Sequence, residues 1–182
     1  MPTEAARRLE KVQKYSVSFG RLFRLLFVVV ALALVIQTLL IVTGAEPYGT
    51  SVRIGSTEYS GDSIPVVIRT IAWLGTTLAL AVLLKLNFHL IKLFDLYAGG
   101  RLFDRENVHQ IRQIGITVLL FPALWVLGLI VPGFLPSDDV ARSVVSSGQQ
   151  PFTELILGAI IIVVAWIMDV GRELREEQDL VV

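Results

Sequence analysis

Three polar side chains stand within or against long apolar stretches of this 182-residue chain: Gln37, Arg69 and Asp169. Polar or ionisable groups at membrane depth mark relays, ion paths or ligand sites by default. Arg69 lies near the start of its stretch. There its guanidinium can snorkel to the interface on its own stem, pair with Glu154, or serve an outward-facing ligand site. Asp169 has Arg172 one helical turn on, which favours a local ion pair over a proton relay. Gln37 and its neighbour Thr38 suit hydrogen bonding between helices better than transport. The two histidines, His89 and His109, both fall in the middle connection. They have no evident third ligand, so solvent-facing imidazoles are expected rather than a metal centre. The chain has no cysteine, and no HExxH, P-loop, G-x-S-x-G or CxxC motif. Neither enzymatic activity nor a cofactor is expected.

The elements that must carry these residues follow from composition. The chain is 54% hydrophobic and only 18% charged, against about 25% charged in an average soluble domain. Its mean hydropathy is +0.68. The apolar excess sits in four blocks, Leu25 to Val42, Ile64 to Leu84, Ile114 to Val131 and Leu155 to Met168. A helix needs about 20 mostly apolar residues to cross the hydrocarbon. Extended to their polar boundaries, the blocks become spans at about 22–43, 64–86, 113–131 and 152–170. A water-soluble fold would have to bury all four on every side, and so short a chain lacks the protein to do it. The expected fold class is all-α, an integral membrane four-helix bundle with a cytoplasmic helical hairpin tip, forming one domain over residues 1–182. The first apolar block exceeds the 7–15 residues typical of a signal peptide and is expected to stay.

Basic residues set the orientation. Arg7, Arg8, Lys11, Lys14, Arg21 and Arg24 precede the first span. Lys85, Lys92, Arg101, Arg105 and Arg112 lie in the middle connection, and Arg172 and Arg175 follow the last span. Only Arg53, Arg69 and Arg142 fall on the other side. Both termini and the middle connection are therefore expected in the cytoplasm. The formal net charge is zero, so direct nucleic-acid binding is not expected.

The middle connection reads as helix. Leu86, Leu90, Leu93, Phe94 and Tyr97 form one apolar stripe, and Gly99 and Gly100 stop it. Asp104 then opens the next helix as an N-cap, with Glu106 in its first turn. Phe103 is expected to tuck against Leu93, Phe94 or Tyr97. Pro122 is expected to kink the third span. Residues before Arg24 form a basic amphipathic helix, with Leu9, Val12, Phe19 and Phe23 on its apolar side, suited to anionic membrane lipid. The C-terminal tail is acidic, through Glu173, Glu176, Glu177 and Asp179, so the two ends could pair. Residues 48–60 alternate weakly, as a small hairpin would. Ser137 suits the N-cap of a short helix through Ser147.

Two segments are familiar together: GGRLFDRENVHQIRQIG at 99–115 and GRELREEQDLVV at 171–182. They resemble the bacterial membrane proteins grouped as domain-of-unknown-function family 2975. Gly100, Phe103, Asp104, Glu106, Asn107, Ile111, Arg112, Ile114 and Gly115 carry the first match; Glu176, Glu177, Gln178, Asp179 and Leu180 carry the second. The chain departs from the pattern at Val181, where threonine is frequent. The resemblance implies a four-span protein of the bacterial inner membrane with a regulatory role. Through the neighbourhood in which such proteins are encoded, it implies a small helix-turn-helix regulator as partner. The expected function is that of a non-enzymatic regulator or sensor binding a cytoplasmic partner through Phe103, Asp104, Glu106, Asn107 and Arg112 at the tip and Glu176, Glu177 and Asp179 in the tail. The alternative is a small oligomeric transporter, exporter or immunity-type pore. A homo-oligomer is compatible with either.

Overall fold

A computed structural model describes residues 4–43, 51–54, 57–60, 66–101, 104–130 and 152–179. The first element, α1, runs unbroken over Glu4–Thr43. The basic amphipathic segment and the first apolar span are thus one helix. Its 40 residues rise about 60 Å at 1.5 Å each, twice the roughly 30 Å of hydrocarbon. Two short strands follow, β1 (Ser51–Ile54) and β2 (Thr57–Ser60), paired antiparallel with Val52 opposite Tyr59 and Arg53 opposite Glu58. They realise the weak alternation read from the sequence.

Helix α2 covers Val66–Ala98 and helix α3 covers Arg105–Ile130. The second span and the apolar stripe beyond it therefore form one continuous rod, and the pair makes the expected long hairpin. Pro122 is buried inside α3, which continues past it to Ile130. The last helix, α4, is Phe152–Asp179. The short helix expected from Ser137 and the docking of Phe103 both lie outside the described residues.

The helices pack in chain order: α1 on α2, α2 on α3, and α3 on α4, every other helix pairing being slight among the described residues. Two of these three joints have distinct chemistry. Between α1 and α2, Phe94 stacks with Phe19 and Phe23 at centroid distances of 5.5 and 5.4 Å. Farther along the same joint, Gln37 donates from Nε2 to the Trp73 carbonyl at 3.2 Å and to the Thr77 hydroxyl at 3.1 Å. Between α3 and α4 the backbones approach at paired glycines: a Cβ on Gly115 or on Gly158 would stand 3.2 Å from the other residue's carbonyl oxygen. Small residues of this kind let helices meet closely where no hydrophobic effect drives them together.

The core lies on α2, α3 and α4 and consists of Leu93, Ile111, Ile114, Val118 and Ala165. Much of the outer surface of α1 and α4 is apolar and open. On α1, Val28, Val35 and Leu39 are 60–63% exposed, and on α4 Ile156, Trp166 and Ile167 are comparably bare. Water would penalise each such side chain by about 1.5–3 kcal/mol relative to burial, so the surface is suited to acyl chains. Among the described residues, four helices contain segments long and apolar enough to cross a membrane: Glu10–Leu40, Trp73–Ala98, Arg105–Leu127 and Phe152–Leu174. The chain is a multi-pass helical membrane protein.

Candidate functional site

The best-defined polar structure is the turn between α2 and α3. Gly100 adopts φ 76°, the left-handed region that glycine tolerates. The Gly100 amide donates to the Tyr97 carbonyl at 3.0 Å and the Arg101 amide to the Leu96 carbonyl at 3.1 Å. This is the paired pattern of a Schellman cap, which satisfies the last carbonyls of α2. The position is also tight, because a Cβ there would lie 2.7 Å from Nε2 of Gln13 on α1.

On the far side of the turn, Asp104 stands just before α3, and its carbonyl accepts the amides of Asn107 at 2.9 Å and Val108 at 3.4 Å. Asp104 thus occupies the N-cap position, as the sequence suggests. Its carboxylate, however, lies 3.6 Å from the Arg101 guanidinium and makes no hydrogen bond to a backbone amide among the described residues. Arg101 is brought within reach by the turn itself and competes for the acid; it also reaches Glu106 at 3.4 Å. Side-chain closure of the turn falls instead to Asn107, which is wholly buried and donates from Nδ2 to the Arg101 carbonyl. Arg112 is exposed on the outer face of α3.

Helix α4 joins the hairpin at the core. Tyr97 and Met168 both lie against the core cluster that contains Leu93, Ile111 and Ala165. Asp169 and Arg172 form the local ion pair expected of them, at 3.2 Å, with Glu173 3.9 Å from the same guanidinium. Glu177 is exposed, while the side chains of Glu176 and Asp179 lie outside the described residues. Among the described residues no ion pair joins the basic start of α1 to the acidic tail, and Arg24 pairs instead with Asp95 on α2, at 2.5 Å. The reason is packing, since α1 lies along α2 and not along α4.

Other residues singled out in the sequence are dispersed. Gln37 bridges α1 and α2, far along the chain from the turn. Arg69 is half-buried near the start of α2, and Glu154 is exposed at the start of α4 and makes no ion pair among the described residues. Of the three alternatives for Arg69, the pairing with Glu154 is therefore not formed. His89 is not a solvent-facing imidazole. It is half-buried, and its Nδ1 lies 2.8 Å from Oε1 of Gln110 on α3. His109 is exposed. No cluster of three or more metal-ligating His, Cys, Asp or Glu side chains occurs among the described residues.

Sequence reasoning missed the polar layer along this hairpin: Asn87, Gln110 and Thr117 are buried, with Asn87 donating to the Leu83 carbonyl at 3.0 Å and Thr117 to that of Gln113 at 2.7 Å. A signal existed for His89, which stands three residues after Leu86 and four before Leu93, on the rim of the apolar stripe.

The family described as "Protein of unknown function (DUF2975)" matches residues 55–182, which include the turn, the core and the tail. No curated protein and no solved structure matches the chain.

Proposed function

The chain belongs to that DUF2975 family, and from this premise we propose that it is a non-enzymatic regulator or sensor in the bacterial inner membrane. Both termini and the α2–α3 turn face the cytoplasm, where the turn and the α4 tail bind a soluble partner. A small helix-turn-helix regulator is the partner that the family resemblance favours. The observation carrying this reading is the closed turn within the first family-like segment, sealed by the Gly100 cap and the buried Asn107. A capped turn is a preorganised docking surface, which lowers the ordering cost of binding, and the acidic tail supplies charge for the same partner. Any contact of tail acids with tip cations is exposed and worth about 0–1 kcal/mol per pair, weak enough for a partner to displace.

Affinity purification of the full chain in mild detergent tests this, beside a chain lacking Glu176 to Val182. A co-purifying soluble protein, lost on truncation while the helical content and thermal transition persist, supports the reading. Retention of every partner by the truncated chain, or ion flux through proteoliposomes holding the purified protein, overturns it in favour of a structural tail or a pore.

A further inference from the structure

We propose that the outer face shared by α2 and α3 binds the phosphate headgroup of an acidic phospholipid. The contact of His89 with Gln110 at 2.8 Å sets the register of the two helices. In an antiparallel pair the preceding residues, Phe88 and His109, then fall on one outer face, and both are exposed. Lys85 and Lys92 lie one turn to either side of Phe88, and Arg112 lies one turn from His109; all three are exposed. Nζ of Lys92 sits 4.5 Å from the centroid of the Phe88 ring, which holds that ammonium on the face.

The acids nearby are already engaged. Asp95 pairs with Arg24 at 2.5 Å, and Asp104 and Glu106 lie 3.6 and 3.4 Å from Arg101. Among the described residues, Lys85, Lys92 and Arg112 have no carboxylate partner. They form a cationic cluster with donors free for a phosphate oxygen.

Its depth selects a lipid over a free anion. From Val66 to Lys85, and from Arg112 to Ile130, the helices rise about 27–29 Å at 1.5 Å per residue. With these two stretches taken as the part of each helix that crosses the hydrocarbon, the length matches its thickness of about 30 Å, and Lys85 and Arg112 stand at headgroup level. Phe88 is 46% exposed at this level, where a lipid would cover it and free phosphate would not. The basic start of α1 is a different surface. Gln13, between Lys11 and Lys14, meets Gly100, eight residues or about 12 Å along α2 from Lys92, outside a Debye length of about 8 Å.

The test measures lipid retention by the full chain in detergent, read by native mass spectrometry. Phosphatidylglycerol, phosphatidylcholine and inorganic phosphate are the probes. The wild-type chain should retain phosphatidylglycerol over phosphatidylcholine, and millimolar phosphate should not displace it. Each basic residue contributes about fivefold to such an affinity. The combined Lys85→Gln, Lys92→Gln, Arg112→Gln variant should thus bind on the order of a hundredfold more weakly. Lys11→Gln with Lys14→Gln should stay within about twofold of wild type, those charges being screened. Equal retention of the two lipids, displacement by phosphate, an unaltered triple variant, or an equal loss in the α1 variant each overturns the proposal. If the triple variant does not fold, Lys85→Gln and Arg112→Gln taken singly decide, each weakening retention about fivefold or, if unaltered, overturning the proposal.

Discussion

Replacing Gly115 by alanine tests whether close backbone approach holds α4 to the bundle. The new Cβ would meet Cγ1 of Ile162 at 2.7 Å, Cγ2 of Ile161 at 3.1 Å and the carbonyl oxygen of Gly158 at 3.2 Å. Carbon atoms settle at about 3.5–4.0 Å, so α3 and α4 must separate by about 1 Å, and such a gap forfeits a quarter to a half of each contact's attraction. The backbone oxygen cannot move aside independently of its helix. Overpacking of this kind costs about 1–3 kcal/mol, while alanine regains about 1 kcal/mol of helix propensity. The expected net destabilisation is therefore up to about 2 kcal/mol. Gly75 supplies the control, because a Cβ there meets nothing within 4 Å, so Gly75→Ala should be neutral or stabilising by up to about 1 kcal/mol. Unfolding of both variants is followed by circular dichroism during titration of a mild-detergent micelle with a denaturing detergent. If Gly115→Ala matches Gly75→Ala, the α3–α4 contact is not set by these glycines and the reasoning fails. Gly158→Ala should resemble Gly115→Ala, since its Cβ would lie 2.7 and 2.8 Å from two atoms of Leu119. The double variant should cost less than the sum, the two residues sharing one crossing.

The closure of the turn makes two opposite forecasts by the same assay. Asn107→Asp leaves a buried carboxylate facing the Arg101 carbonyl and should cost about 3 kcal/mol or more, whereas Asp104→Ala should cost under about 1 kcal/mol, because only an exposed ion pair is lost. A large penalty for the second would mean that its carboxylate caps the helix after all. Gln37→Leu and Thr77→Val, combined in a double-mutant cycle, should show a coupling of about 0.6 kcal/mol; zero coupling would discard the bridge between α1 and α2. Reporter fusions at Gly61 and Gly148 should register the outer side and a fusion at Gly100 the cytoplasm, and an outer signal from Gly100 would reverse the proposed orientation.

The extent to which the architecture is written locally differs from element to element. The stop of α2 at Gly99 and Gly100 and the start of α3 after Asp104 are legible from residue types, because caps are made by near neighbours. The Asp169–Arg172 pair is legible for the same reason, being one helical turn apart. Partners remote in sequence are not. Asp104 reads as a side-chain cap until the turn delivers Arg101 to it, and Asn107 reads as one residue of a resemblance until its burial shows it closing the loop. His89 reads as solvated until Gln110 stands opposite it.

Apolar run length and basic asymmetry are enough, without coordinates, to require four spanning helices and to make one side the expected cytoplasmic one, because lipid admits little else than a helix that satisfies its own backbone. The pairing of those helices lies beyond such one-dimensional signals, since apolar faces look alike to one another in lipid. Tertiary structure alone decides that α1 follows α2, that Arg24 therefore meets Asp95 rather than the acidic tail, and that Gly115 finds Gly158. Those choices rest on steric fit and on a few polar contacts between residues far apart in the chain, and only the folded arrangement brings them together.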